Sequence, residues 1–553
     1  MNVTGLCCVL TLVGSWLGAE VKVWQTEHVS VQNLPASIGR QLTPLEMLEL
    51  ANSQPTPPYL SLTTGVRLND GTVWLGSRQG LMLLRPGAAH WRLFHSRRWL
   101  PDDFIEKLSV AKPNEVWVKT PKGVGKICLK RTTYEQKMNG IHQALRKRHI
   151  RFGLVGAIRL KQPGKLDADW FQPDSDNDGL WTSLYVAAEA FRFGATGDEQ
   201  ARKNAWQSLQ ALMFLEKITG LPGFVARSFV PIEIDKSNQF PWEKSADGKW
   251  WWKGDTSSDE LVGHYFAYSV YYDVAATPDQ KKQIRQVVAR ITDHILKNGY
   301  YYVDPHGRRT RWGMWAPEQL NRNPEWINER GLNSLEILSH LKVAEHIVGD
   351  AKYAQAAREL IEKHGYAMNT IRQKMIAPWD PETNHSDDEL AFLSYYPLLW
   401  HERDPALRKI YQLSIRRSWL VERPEHSPLF NFIYAAALQA EHWKEATSRP
   451  TQSFVAPADY DLSACLEWFQ DVPSDLIKWT IINSNRRDLG RFFLNRHGQL
   501  CSTRILPVSE RPIMRWNGDP YELDGGSQGL VRDDGSFILL PYWMGRYHRF
   551  LSE

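Results

Sequence analysis

Leu341-Lys-Val-Ala344-Glu-His-Ile-Val-Gly349-Asp350-Ala-Lys-Tyr353 is the stretch on which the fold turns. Upstream, Leu335, Leu338, Leu341 and Ala344 fall on one stripe at helical spacing. The stripe stops at Gly349-Asp350, where an Asp can cap a following helix. The same punctuation recurs at Gly197-Asp198, Thr277-Pro278-Asp279 and Asp404-Pro405, with Pro suited to a first helical turn. A second stripe joins Ala201, Ala205, Leu209, Leu212 and Leu215. Between these tight turns lie long polar connections, at about 220–257, 298–325 and 371–386. In antiparallel helical hairpins this alternation gathers the tight turns at one end and the long loops at the other. The expected class is mainly α with a β minority. The expected architecture is an (α/α)6 toroid over residues 135–455, with its site on the loop-bearing rim. A helical solenoid shows the same alternation.

The flanks read differently. Residues 1–19 carry a short apolar run from Gly5 to Gly18, which fits a signal peptide better than a membrane span. No Lys or Arg precedes that run. A secreted or periplasmic protein is expected, with no membrane span. Cys128, Cys465 and Cys501 show neither metal spacing nor a disulfide framework. Residues 20–134 look like strands. Gly71-Thr-Val-Trp74-Leu-Gly echoes Asn114-Glu-Val-Trp117-Val-Lys at an offset of roughly 43 residues, a propeller-blade period. These segments resemble sensor-propeller repeats. Two copies cannot close a ring, so a small β-domain packed on the rest is expected. Residues 456–553 read as the last helices and a β-rich tail, with turns at Asp524-Gly525-Gly526 and Asp534-Gly535.

Composition narrows the function. The 553 residues are 42% hydrophobic and 23% charged, ordinary for a globular chain. Net charge is +5, and Arg146-Lys147-Arg148-His149 is too short a basic run for nucleic acid. Trp is abundant, at 24, often in polar surroundings such as Trp250-Trp251-Trp252 and Trp312-Gly313-Met314-Trp315. Half of these rings serve packing, but flat side chains with a polar edge also suit sugar rings.

Four clusters sit at or just before the helices that follow the long connections. Asp174-Ser-Asp176-Asn-Asp178-Gly179 opens like a calcium loop, but Tyr185 stands where the closing Glu belongs. Capping and rim-lining is the expected role, and no metal or cofactor is required. Asp255 and Asp259 lead into Glu260 and His264, which are four apart on one helical face. Ser257 or Ser258 can cap that helix. Arg311-Trp312 and Arg330, with Asn333, suit a planar carboxylate, since a guanidinium binds one through two hydrogen bonds. Asn384-His385-Ser386-Asp387-Asp388-Glu389 precedes Tyr395-Tyr396-Pro397, and Pro397 should disturb the helix just after them. Each cluster also has a plain structural explanation, as helix caps, dipole-compensating acids and salt bridges.

The phrases around Asp255–Glu260, Thr310–Gly313, Arg330–Ser334 and Asn384–Tyr396 resemble those of secreted bacterial α/α-toroid polysaccharide lyases. The nearest are the rhamnosyl-glucuronate lyases acting on arabinogalactan, over about residues 150–550. Asn384-His385 also resembles the Asn-His motif of toroid alginate lyases, where Asn neutralises a uronate carboxylate and His and Tyr handle protons. The resemblance implies β-elimination on an acidic polysaccharide or oligosaccharide. Arg311, Arg330 and Asn384 would stabilise the charge that builds next to C5. Tyr395 or Tyr396 would act as base or acid, with His385 and His264 as partners. Trp312, Asp255, Asp259 and Asn333 would line the substrate. An inverting glycoside hydrolase on the same toroid needs two carboxylates about 6.5–9.5 Å apart, which Asp255, Asp259, Asp387 and Asp388 can supply. A non-catalytic glycan-binding protein is the third possibility.

Overall fold

The computed structural model describes residues 20–29, 33–374, 383–439 and 462–551. The leader read at 1–19 and the boundary near 455 lie outside the described residues. Helices predominate, with a strand minority. Among the described residues no helix is long and apolar enough to cross a membrane.

The N-terminal part forms two antiparallel sheets. One runs β2 (Arg40–Gln41), β3 (Leu62–Arg67), β4 (Val73–Ser77), β5 (Leu81–Leu84) and β6 (Arg92–Phe94) in sequence order. The other has the order β1 (Val21–Val29), β9 (Gly123–Thr132), β8 (Glu115–Thr120), β7 (Lys107–Lys112). The repeated segments are the β4–β5 and β8–β9 hairpins. Their turns close alike: Ser77 Oγ donates to the Gly80 carbonyl and Thr120 Oγ1 to the Gly123 carbonyl, both at 2.9 Å. Gly80 (φ 145°) and Gly123 (φ 132°) take backbone angles that L side chains avoid. The sheets share one core, in which Trp74, Leu81 and Phe94 meet Leu108, Val116 and Ile127. Two blade-like sheets thus bury their faces against each other as a sandwich.

The main helices are α1 (Tyr134–Arg148), α2 (Asp178–Thr196), α3 (Glu199–Lys217), α4 (Ser258–Val274), α5 (Pro278–Lys297), α6 (Arg330–Val348), α7 (Ala351–His364), α8 (His385–His401), α9 (Pro405–Glu422), α10 (Pro428–Gln439), α11 (Leu462–Asp471) and α12 (Ser536–Tyr547). The tight turns are as punctuated as their sequence. Gly197 (φ 72°) and Gly349 (φ 80°) end α2 and α6 in the left-handed region. Asp198, Thr277, Asp350 and Asp404 cap α3, α5, α7 and α9 through their side chains. Two cap assignments differ. Ser257 precedes α4, but its hydroxyl goes to Asn177 Oδ1 at 3.1 Å and caps nothing. At α8 the sequence also offers Ser386 as a cap, but Asn384 holds the cap position. Pro397 lies inside α8, which continues to His401.

Burial separates the helices into two sets. In α4 every residue from Glu260 to Tyr272 is buried, and in α8 every one from Asp388 to His401. In α5 the buried residues are Ile284, Val287, Val288, Ile291, Thr292, His294 and Ile295, one stripe only. Helices apolar all round are inner helices, and striped ones cover them. The inner helices contact one another in the succession α2–α4–α6–α8–α10–α12, and α12 packs on α2 again. On them lie α3, α5, α7, α9 and α11, each beside its predecessor in sequence, while α1 lies against α12. Gly194 marks the α12 seam, since a Cβ there would collide with Val274 and Tyr547.

The C-terminal segment departs from the sequence expectation. Short strands such as Phe492–Leu494 and Leu500–Ser502 do form. The last helices do lie beyond 455 as expected, but one of them, α12, a buried inner helix, follows the strands instead of preceding a β-rich tail. Phe537 to Tyr547 is apolar on every side and shows no stripe, so nothing in its periodicity announces a helix. The sandwich docks on this segment through the Arg92–Asp471 ion pair and the Leu93 N–H on Glu510.

Candidate functional site

The inner helices run parallel. At one end Asn177, before α2, donates to Asp259 at 3.1 Å, and the Leu180 N–H reaches Glu260 at 3.3 Å. At the other end Asp273, His346 and His401, from the last turns of α4, α6 and α8, meet at 2.7 and 3.4 Å. His385 and His401 bound the same helix. The Gly349-Asp350 turn therefore lies at the end opposite His385. The four sequence clusters share the N-terminal end of the inner helices.

Three carboxylates converge there. Asp259 stands in the first turn of α4, Glu329 immediately before α6, and Asp387 in the first turn of α8. Burial pushes Asp387 well above the usual carboxylate range, and Glu329, Asp388 and Asp259 push it further. Glu329 is raised by burial and by Asp259, against Arg496. Asp259 is raised by burial, against Arg227. Helix N-termini ordinarily favour ionised acids. Here burial and mutual repulsion prevail over the dipole and raise all three acids.

Around these acids stand groups that could hold a substrate. Arg311 is exposed, its guanidinium 4.7 Å above the Trp312 ring, and it has no ion pair among the described residues. Its N–H binds Asp255 Oδ1 at 3.0 Å, and Asp255 sits at φ 49°. Trp312 is 40% exposed and meets Trp326 edge-on. Asn384 donates to Asp387 at 2.6 Å. His385 is buried, with Nε2 3.5 Å from Asp519, and burial lowers its pKa.

Other expected site residues are engaged elsewhere. The Tyr395 hydroxyl bonds Ser414 at 2.6 Å, which fastens α8 to α9, and burial raises its pKa to about 12. The Tyr396 hydroxyl bonds His548 at 3.0 Å in the packing between helices. Burial outweighs the pull of Arg417 on Tyr395, and no cation among the described residues lowers Tyr396, whereas a phenol base needs a lowered pKa. His264 is fully buried between Glu260 (3.3 Å) and Tyr268 (3.2 Å), with its pKa pushed down to about 3 by burial. Arg330 caps the Leu320 carbonyl through Nε, and Asn333 holds the Met314 carbonyl at 2.9 Å. These two serve the loop backbone.

The calcium-like loop has its carboxylates turned apart. Asp174 pairs with Lys236 (3.1 Å), Asp176 with Arg227 (2.9 Å) and Lys253 (2.7 Å), and Asp178 with Arg151 (2.8 Å). Protein cations neutralise each one separately, and Tyr185 is buried against Arg146. His385, Asp388 and Glu422 also lie close together. There the Lys374 ammonium ion pairs with Asp388 and Glu422, supplying their cation. His346 and His401 beside Asp273 stack face to face, 3.9 Å apart at 17°. In-plane lone pairs of stacked rings do not converge on one ion.

No family model, curated protein or solved structure matches this chain.

The sequence left several contributors unmarked. Glu329 adjoins the Arg330 that attracted notice, and only the fold shows that the acid carries the electrostatics. Arg227 ties Asp176, Asn177 and the Asp255 carbonyl together, so it joins the loops before α2 and α4. Arg496 and Asp519 come from the C-terminal segment, more than a hundred residues away in sequence. Nothing in their local sequence announces the site.

Proposed function

We propose that this chain is a carbohydrate-active enzyme on an (α/α)6 toroid and that it hydrolyses glycosidic bonds with carboxylate acid–base chemistry. The succession of inner-helix contacts that returns to α2 supports the toroid. The observation that carries the chemistry is the coupling of Asp259, Glu329 and Asp387 at one end of three neighbouring helices. Glycoside hydrolysis needs one carboxyl that keeps its proton for the leaving oxygen and one that is ionised. Asp387 is the proposed acid, because burial and repulsion from its neighbours raise its pKa furthest of the three. Asp259, beside Arg227, is the proposed ionised partner. Asp388 is excluded from the pair by its salt bridge to Lys374. Trp312 and Trp326 would offer faces to sugar rings. The apolar run from Gly5 to Gly18, read as a signal peptide, supports action outside the cytoplasm.

A uronate lyase is the second reading, and Arg311 favours it. An exposed guanidinium stacked on Trp312 suits a substrate carboxylate. Such a lyase would take its proton acceptor from His385 or a carboxylate, not from Tyr395 or Tyr396. The test is incubation with neutral and acidic polysaccharides, following reducing ends and the ultraviolet absorbance of unsaturated uronates. Reducing ends without that absorbance support the hydrolase. New absorbance, lost in Arg311→Lys and on methyl-esterified substrate, supports the lyase. Binding without either product leaves a glycan-binding protein.

A further inference from the structure

Away from the helix ends, the sandwich and the chain between α11 and α12 enclose a cleft of about 480 Å³. That volume lies in the range of small-ligand sites. One wall carries Trp479, whose indole N–H is fixed on Asp475 at 3.0 Å, and the exposed amide of Asn485. The other carries Tyr59, His95, Arg78 and Arg97.

Two features of this cleft ask for a ligand. His95 is 3% exposed, and its Nε2 has no hydrogen-bond partner. Burial pushes its pKa down to about 3, so the ring is neutral and can accept a hydrogen bond. A buried polar atom without a partner is costly, and a hydroxyl group would satisfy it. The second feature is charge. Lys122 is engaged with Asp102 at 2.7 Å. Arg78 lies 5.3 Å over the Phe104 ring, and Arg97 donates to the Pro101 carbonyl at 2.8 Å. Among the described residues neither guanidinium has a carboxylate at salt-bridge distance, although Arg97 also acts on Asp102 and Asp103 in the cleft lining. A hydroxyl acceptor, aromatic side chains and two guanidiniums outside any ion pair together match a hydroxylated ring that bears a carboxylate.

We propose that this cleft is a binding site for an acidic saccharide, separate from the carboxylate site at the helix ends. It does no chemistry, and it stands whether or not the hydrolase reading does. The test is calorimetric titration with trigalacturonate and with neutral maltotriose. Wild type should bind trigalacturonate in preference to maltotriose. Arg78→Gln/Arg97→Gln should weaken that binding roughly 10- to 100-fold, the effect of losing charge-assisted hydrogen bonds. Both side chains are exposed, so folding should persist, and an unchanged melting temperature verifies it. Asp259→Asn/Asp387→Asn should lose turnover and keep this binding. The proposal is overturned if neither trisaccharide binds saturably at millimolar concentration. It is equally overturned if the double Arg variant binds like wild type, or if the Asp variant loses the binding.

Discussion

At the scale of the residue, the site turns on which polar groups are free. Asp387 feels three other carboxylates, Glu329, Asp388 and Asp259, whereas the Tyr395 hydroxyl is spent on Ser414. On the proposed hydrolase reading, Asp387→Asn should lower turnover of a cleaved glycan by about 10²–10⁴, the usual loss of a general acid, with little change in melting temperature. Tyr395→Phe should do the reverse. It should cost about 1 kcal/mol of stability through the lost buried hydrogen bond and leave turnover within about twofold. Denaturation and rate measurements on both variants check this, and a dead Tyr395→Phe would restore the phenol to the mechanism. Glu389 gives a pH prediction. Burial raises its pKa to about 8 in the fold, against about 4.3 for an unfolded carboxyl. Between those values the native state keeps a proton that the unfolded state has lost, so stability falls as pH rises through the window. Glu389→Gln has no such proton to lose. Its melting temperature should gain on wild type from about pH 5 and level off above about pH 8.

At the scale of the element, the tight turns are set by local chemistry. Asp404 Oδ1 accepts from the Ala406 and Leu407 N–H groups at 2.8 and 3.1 Å, two donors that a helix start otherwise leaves unpaired. Asp404→Ala should cost about 0.5–2 kcal/mol, read as a lower melting temperature with unchanged helix content. The long loops obey other rules. Residues 174–178 look like a cation loop in sequence, yet each acid is matched by an Arg or Lys from another segment. Chelation should therefore leave melting temperature and activity unchanged. A loss that calcium alone restores would contradict the geometry.

At the scale of the whole molecule, the first and last helices hold the array together. The last helix among the described residues, α12, lies between α10 and α2, and α1 lies against it. A chain ending at Gly535 would expose the buried flank of α2 around Phe191, which packs on Tyr547 and His548. Such a truncation should lose cooperative thermal unfolding and near-ultraviolet dichroism. If it melts like the full chain, α12 is not integral to the helical unit.

Sequence by itself determined striped helices such as α3 and the tight turns, and with them the end of the array expected to bear the loops, but not α12. Gly349-Asp350, Thr277-Pro278 and the stripe on α3 act within a few residues, where backbone geometry and capping decide the outcome. The two blade hairpins were legible for the same reason, since Gly80 and Gly123 fix their turns locally. Tertiary structure alone decided what each polar residue does. Tyr395, Tyr396, Arg330 and Asn333 carry the chemistry of a site but find partners on neighbouring helices and loops. Glu329, Arg227 and Arg496 look ordinary in sequence, and become part of the site because folding sets them beside Asp259 and Asp387. A pKa or a free guanidinium depends on burial and on charges brought from distant segments, and local sequence encodes neither.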